Sequence, residues 1–450
     1  MINQQNISEK VRYIESEIID QFLKDDHQTR PWIIGFSGGK DSTLLLQLVW
    51  KALQKIQDIA WMREIYIVCN DTLVENPKIQ RFIDKTLERI EKSAVEQNIP
   101  IKIQKTKPRL EDTFWVNLIG KGYPAPNNIF RWCTERLKIN PTTRFILDKI
   151  NEKGEAIILL GTRKDESQSR AKSMKKHEIY GQRLRKHLLP NSYVFAPLKD
   201  LTTNELWQYL MQVPPPWGGS HKELITLYKN ANSGDCPLVI DTTTPSCGHS
   251  RFGCWVCTVV KHDKSMAAMI SNGEEWLEPL IELREFIAET REYSERFREK
   301  FGRGGKEREK GHFGPYRGWV RAEFLDRLLK AQKGISESQG PIELISYQEL
   351  IAIQIQWYRD GILNYTVSEI YNKIFNSEID MSKQLEKLKE ESDLLLQVCD
   401  NNLEDVNLIQ KLLAVQRTKT LMLRKRGLLA DLESILDIHL AEKKTAKNDN

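Results

Sequence analysis

The chain of 450 residues carries 67 Lys and Arg against 62 Asp and Glu, a formal net charge of +5, and is 40% hydrophobic. At about 100–200 residues per domain this length predicts two or three domains, and the mild basicity permits a nucleic-acid partner without requiring one. No apolar run approaches the ~20 residues of a membrane-spanning helix and the start shows no signal-peptide pattern, so no membrane association and a cytoplasmic location are expected.

Ile7, Val11, Ile14, Ile18, Ile19 and Phe22 recur at helical spacing and predict an amphipathic helix over 7–24. Short apolar runs follow at Trp32 to Phe36, Ile65 to Cys69, Ile101 to Gln104 and Ala156 to Leu160, separated by stretches of helical character. Strands alternating with helices predict an α/β fold with a parallel sheet whose ligand sits at the strands' carboxyl ends. Three of those ends carry chemistry: Ser37-Gly38-Gly39-Lys40-Asp41-Ser42, Asn70-Asp71-Thr72 and Gly161-Thr162-Arg163.

The first of these turns leads into the helical pattern that begins at Thr43-Leu44-Leu45-Leu46. Backbone N–H groups and a positive helix terminus make such a turn an anion cradle, to which Lys40 adds a fixed charge. It is not a Walker loop, because Ile34 stands at the early glycine position and Asp41 at the hydroxyl position. The string resembles the Ser-Gly-Gly-x-Asp-Ser signature of the PP-loop ATP pyrophosphatases. The resemblance implies that Ser37, Gly38, Gly39, Lys40, Asp41 and Ser42 hold ATP with Mg2+, that Lys40 and Asp41 are catalytic, and that AMP and pyrophosphate are released. Asp71 is either a nucleoside contact or a helix cap. Residues 161–170 resemble the phosphoadenylyl-sulfate reductase branch, which makes Gly161, Arg163 and Arg170 ATP-binding candidates. The other reading of these arginines is a solvated helix start with internal salt bridges.

Seven cysteines argue against a disulfide framework and for metal or thiol chemistry. Cys236, Cys247, Cys254 and Cys257 lie close together, the last two as Cys-x-x-Cys, a set that suits an iron–sulfur cluster or tetrahedral zinc. Cys133, between Arg131 and Arg136, is expected to have a lowered pKa and to carry a persulfide; its place ahead of Lys138 and Pro141 also resembles assimilatory sulfate-reducing enzymes, a resemblance that implies Cys133 as a cluster ligand in place of Cys236 or Cys247. Cys69 and Cys399 read as core residues.

From about Asp200 the chain changes character, and a glycine- and charge-rich stretch runs from Gly302 to Arg321. The expected organisation is a PP-loop domain over 1–200, a cysteine-rich iron–sulfur region over 201–290, a basic Gly-rich segment over 291–345 and a helical region over 346–450. Two basic segments are DNA-binding candidates, one with Lys175, Lys176 and Arg183, the other with Arg303, Lys306 and Arg308 among aromatics.

Together these strings resemble the DndC family of DNA phosphorothioation, above all Arg131-Trp132-Cys133 and the run from Ser246 to Val260. The resemblance implies an adenine nucleotide alpha hydrolase-like fold and a four-iron four-sulfur (4Fe-4S) cluster. The implied activity is ATP-driven replacement of a non-bridging DNA phosphate oxygen by sulfur. It also implies a cysteine desulfurase as sulfur donor and other Dnd proteins as partners on DNA. A phosphoadenylyl-sulfate reductase-like enzyme, a tRNA thiolase and a non-catalytic ATP-dependent DNA-binding subunit remain alternatives.

Overall fold

The structure, a computed structural model, describes residues 2–24, 29–56, 63–177, 182–230, 253–300, 313–381 and 383–420, with short helical pieces between 429 and 440. It forms two compact units interleaved along the chain. The first comprises Met1–Arg109, Trp132–Cys257 and His262–Glu275; the second comprises Leu110–Arg131, Thr258–Lys261 and Trp276–Asn450.

The first unit is built on a six-stranded sheet. All four expected strands are present as β1 (Trp32–Gly35), β2 (Ile65–Asn70), β3 (Ile101–Thr106) and β4 (Ala156–Leu159). Two more, β5 (Leu184–Lys186) and β6 (Ser192–Phe195), complete the order β3-β2-β1-β4-β6-β5. All neighbours are parallel except β5, which runs antiparallel to β6 at the edge. Sequence patterning misses this last pair because β5 is three residues long, two of them basic, and an exposed edge strand favours charge over apolar alternation. Arg183, beside this edge, is held by Glu17 and Asp20 of the first helix at 2.8 and 3.0 Å.

The helices of this unit are α1 (Ile2–Leu23), α2 (Lys40–Gln54), α3 (Pro77–Glu96), α4 (Asn140–Lys153), α5 (Gln168–His177), α6 (Thr203–Gln212), α7 (Lys222–Asn230) and α8 (Lys264–Ser271). Strand alternation sends Ile33, Tyr66, Val68 and Ile158 to one face, where Ile146 and Ile150 of α4 cover them. Trp32 points to the other face and meets Phe22 of α1 edge to face, centroids 5.1 Å apart. Because both faces are covered, the strands read as continuous apolar runs.

The second unit is helical, with long helices at Glu278–Glu292, Gly318–Gln339, Tyr347–Arg359, Val367–Phe375, Lys383–Val398 and Leu403–Thr420. Its core includes Arg321, which donates to the carbonyls of Tyr316 and Gly120 and to Asp360. Among the described residues no helix is long and apolar enough to cross a membrane.

Candidate functional site

Strands β1 and β2 are adjacent and parallel, so the turns at their carboxyl ends open side by side. After β1, Gly38 adopts φ +71°, and a Cβ there would lie 2.6 Å from Cγ1 of Ile83. Only glycine fits both demands. Ser42 Oγ accepts from the Ser37 amide at 3.2 Å and donates to the Gly39 carbonyl at 3.0 Å. The serines thus shape the turn. Gly39 ends it in extended backbone and supplies no side-chain cap to the start of α2. Lys40 is buried; its Nζ lies 3.1 Å from Asp41 Oδ2 and 5.3 Å from the ring centre of Tyr228, whose hydroxyl accepts from the Lys40 amide at 3.2 Å.

Gly161 lets the end of β4 approach α2, since a Cβ there would sit 2.6 Å from the Asp41 carbonyl oxygen. Arg163 follows and is fully buried. Its Nε donates to Asp41 Oδ1 at 2.6 Å, and its terminal nitrogens donate to the Leu201 carbonyl at 3.0 Å and to Thr203 Oγ1 at 3.2 Å. Its guanidinium is therefore directed to protein acceptors and braces the phosphate turn from behind. Arg170 lies on α5, but its side chain is outside the described residues, whereas Lys175 and Lys176 on the same helix are exposed. Asp71 caps its own loop: Oδ1 accepts from the Leu73 amide at 2.9 Å, and Oδ2 lies 3.4 Å from Lys107 Nζ.

The loop after β2 also receives the cysteine segment. Glu75 and Cys254 form an antiparallel bridge, and the Trp255 amide donates to the Val74 carbonyl at 3.0 Å. Cys254 Sγ lies 3.3 Å from Thr72 Oγ1 and 3.7 Å from Glu75 Oε1, and Lys138 Nζ stands 3.8 Å from that same carboxylate oxygen. Burial first, then the Glu75 carboxylate, push the Cys254 thiol up to about 12. Lys138 is raised by Cys254 above all and by Glu75, against the effect of burial.

Cys133 caps the π-helical turn Thr134–Ile139, the kind of local widening that recurs at functional sites. Its thiol pKa is raised, by burial first and by the neighbouring Cys257 second. This corrects the expectation of a lowered pKa. The main lowering influences come from Thr134 and Lys138 and are outweighed. Cys69, inside β2, is pushed up to about 12 by burial. Cys236, Cys247, Arg303, Lys306 and Arg308 lie outside the described residues.

Cys257 thus raises the Cys133 thiol, Cys133 raises the Cys254 thiol, and all three raise Lys138. Among the described residues no group of three His, Cys, Asp or Glu side chains is arranged to hold a metal ion. The described part of the expected set is Cys254 and Cys257, and its thiol chemistry suits iron–sulfur ligation rather than magnesium. Glu75, Lys138 and Tyr228 escaped the sequence reading, since their role depends on contacts made far along the chain.

Residues 31–260 match the family model of the phosphoadenosine phosphosulfate reductase domain. A stretch of 242 residues is 26% identical to the uncharacterised protein MJ0066 of Methanocaldococcus jannaschii, covering 53% of this chain and 39% of that protein. The chain therefore spans about two fifths of that relative's length. Among solved structures, FMN adenylyltransferase of Candida glabrata in complex with FAD and inorganic pyrophosphate is 13% identical. Its TM-score is 0.33, with 54% of this chain and 71% of that one covered. Phosphoadenylyl-sulfate reductase of Candida auris is also 13% identical, with a TM-score of 0.27 and coverages of 46% and 87%. At those scores neither structure bears on the activity of this chain.

Proposed function

The chain belongs to the phosphoadenosine phosphosulfate reductase domain family, and from that membership we propose that it is an ATP-dependent sulfurtransferase acting on a DNA backbone phosphate. One observation carries this reading: the phosphate turn after β1 and the cysteine segment docked on the loop after β2 lie at the carboxyl ends of two adjacent strands. On this reading nucleotide and sulfur chemistry would meet at the carboxyl ends of one sheet.

In the proposed reaction a DNA phosphate oxygen attacks the α-phosphorus of ATP and pyrophosphate leaves. Lys40 and the α2 amides stabilise the charge that develops on the leaving group. Mg2+, if bound with the nucleotide, would supply charge neutralisation at the phosphates beside Lys40 and Asp41. A persulfide on Cys133, charged by a cysteine desulfurase, then attacks the activated phosphorus and expels AMP. A thiol reductant cleaves the remaining S–S bond and leaves the phosphorothioate. Cys254 and Cys257, with Cys236 and Cys247, would hold a 4Fe-4S cluster, which when bound supplies one-electron redox chemistry. Other Dnd proteins are the expected partners on DNA.

The influence of Cys257 on Cys133 supports a second arrangement, with Cys133 as a cluster ligand in place of Cys236 or Cys247. Anaerobic iron and sulfide content of Cys→Ala variants at 133, 236, 247, 254 and 257 separates the two. For the reaction, wild-type protein with ATP, DNA and a persulfide donor is expected to form AMP and pyrophosphate. Lys40→Ala should form neither while keeping its iron. Full AMP formation by Lys40→Ala would remove Lys40 from its role. Sulfite release from an adenylylated sulfate, with no DNA-dependent AMP, would replace the reading by a reductase.

A further inference from the structure

The turn Asn127–Arg131 in the second unit presents an apolar tip to solvent. Ile129 is 97% exposed and Phe130 46%, with Asn128 and Arg131 also exposed. A bare aliphatic and aromatic pair gains nothing from water, yet hydrogen bonds hold the backbone of this one. Asn127 Oδ1 accepts from the amides of Ile129 at 2.8 Å and Phe130 at 2.7 Å, and Arg131 donates to Asn128 Oδ1 at 2.8 Å.

The base of the turn is pinned as well. The Ala125 amide donates to the buried Tyr316 hydroxyl at 3.1 Å, and the Pro126 carbonyl accepts from Thr258 Oγ1 at 2.6 Å. The tip is thus preorganised at little entropic cost to a binding event. Residues 124–131 contain no carboxylate, and their single charge is the Arg131 guanidinium.

We infer that Ile129 and Phe130 form a wedge that inserts between bases of DNA while Arg131 meets a flanking phosphate. The two-residue tip is far smaller than the ~800 Å² per partner of a stable protein interface, but it matches the one or two apolar side chains that unstack a base step. Arginine beside it suits phosphate oxygens. The inference rests on the DNA reading above and adds the element that deforms the substrate.

The test uses the full chain and a labelled duplex containing one 2-aminopurine, at low salt. Wild type should raise the 2-aminopurine fluorescence on binding. The double variant Ile129→Ser, Phe130→Ser should bind at least about tenfold more weakly and leave the fluorescence at the free-duplex level. Phe130→Trp, which keeps an aromatic wedge, should behave as wild type, and far-UV circular dichroism checks that each variant folds. Equal affinity and equal fluorescence rise in the double variant overturn the wedge alone. No DNA binding by wild type overturns both the wedge and the parent reading. Unchanged DNA binding with lost self-association in sedimentation overturns the wedge in favour of a contact between copies of the chain.

Discussion

Arg163 Nε donates to Asp41 Oδ1 at 2.6 Å, tying the turn after β4 to the first helical turn that follows β1. Asp41 Oδ2 in turn lies 3.1 Å from Lys40 Nζ. The carboxylate is therefore shared by a buried guanidinium on one side and the lysine of the phosphate turn on the other. Arg163 thereby fixes the position of Asp41, and through it that of Lys40.

Replacing Arg163 by Met should accordingly destabilise the first unit. Breaking a buried pair while leaving its partners in place costs about 3–5 kcal/mol, and the lower end applies because Asp41 is partly exposed. A lowered urea midpoint is expected. A variant of unchanged stability that has lost only ATP affinity would instead make Arg163 a direct phosphate ligand.

Gly38→Ala places a methyl 2.6 Å from Ile83 Cγ1 at φ +71°. The clash and the left-handed backbone together should cost about 2 kcal/mol and weaken ATP binding. Ile83→Ala removes the clashing atom, so a double-mutant cycle should show favourable coupling of about 1 kcal/mol or more. Strict additivity in urea unfolding would mean that backbone strain alone sets the cost.

Glu75 holds Thr72 at 3.0 Å and stands beside Cys254 and Lys138. A thiol at about 12 is almost wholly protonated at pH 8, so Cys254 in metal-free protein should alkylate slowly. Glu75→Gln removes the raising charge and Glu75→Ala also removes the Thr72 contact. Iodoacetamide labelling followed by mass spectrometry should show Cys254 reacting several-fold faster in both, and fastest in the Ala variant. Unchanged rates would show that burial alone protects the thiol.

His221 is buried with Nε2 2.8 Å from Gln47 Oε1, and burial lowers its pKa from 6.5 to about 4. The folded state favours the neutral ring, so between pH 6.5 and 4 the unfolded chain binds more protons. The contribution is complete above pH 6.5 and is lost as pH falls towards 4, about 3 kcal/mol in all. Urea unfolding across that window should show a shallower acid limb for His221→Asn than for wild type; equal slopes would mean that the ring titrates normally.

The local sequence was enough to specify four of the six strands and the glycine turn after β1, because apolar runs, paired glycines and a helix start act over a few neighbouring residues. It also marked Cys133, Cys254 and Cys257 as the thiols to watch. What it left open was which side chains are consumed inside the protein. Arg163 resembles a phosphate ligand in the sequence and is buried against protein acceptors in the fold. The Glu75–Cys254 bridge, the Tyr228 contact to Lys40 and the pairing of Arg183 with Glu17 join residues between 160 and 190 positions apart. Such contacts depend on strand order and helix packing, which no local pattern encodes; the raised Cys133 pKa likewise arises from burial and Cys257 and not from the arginines beside it in the chain.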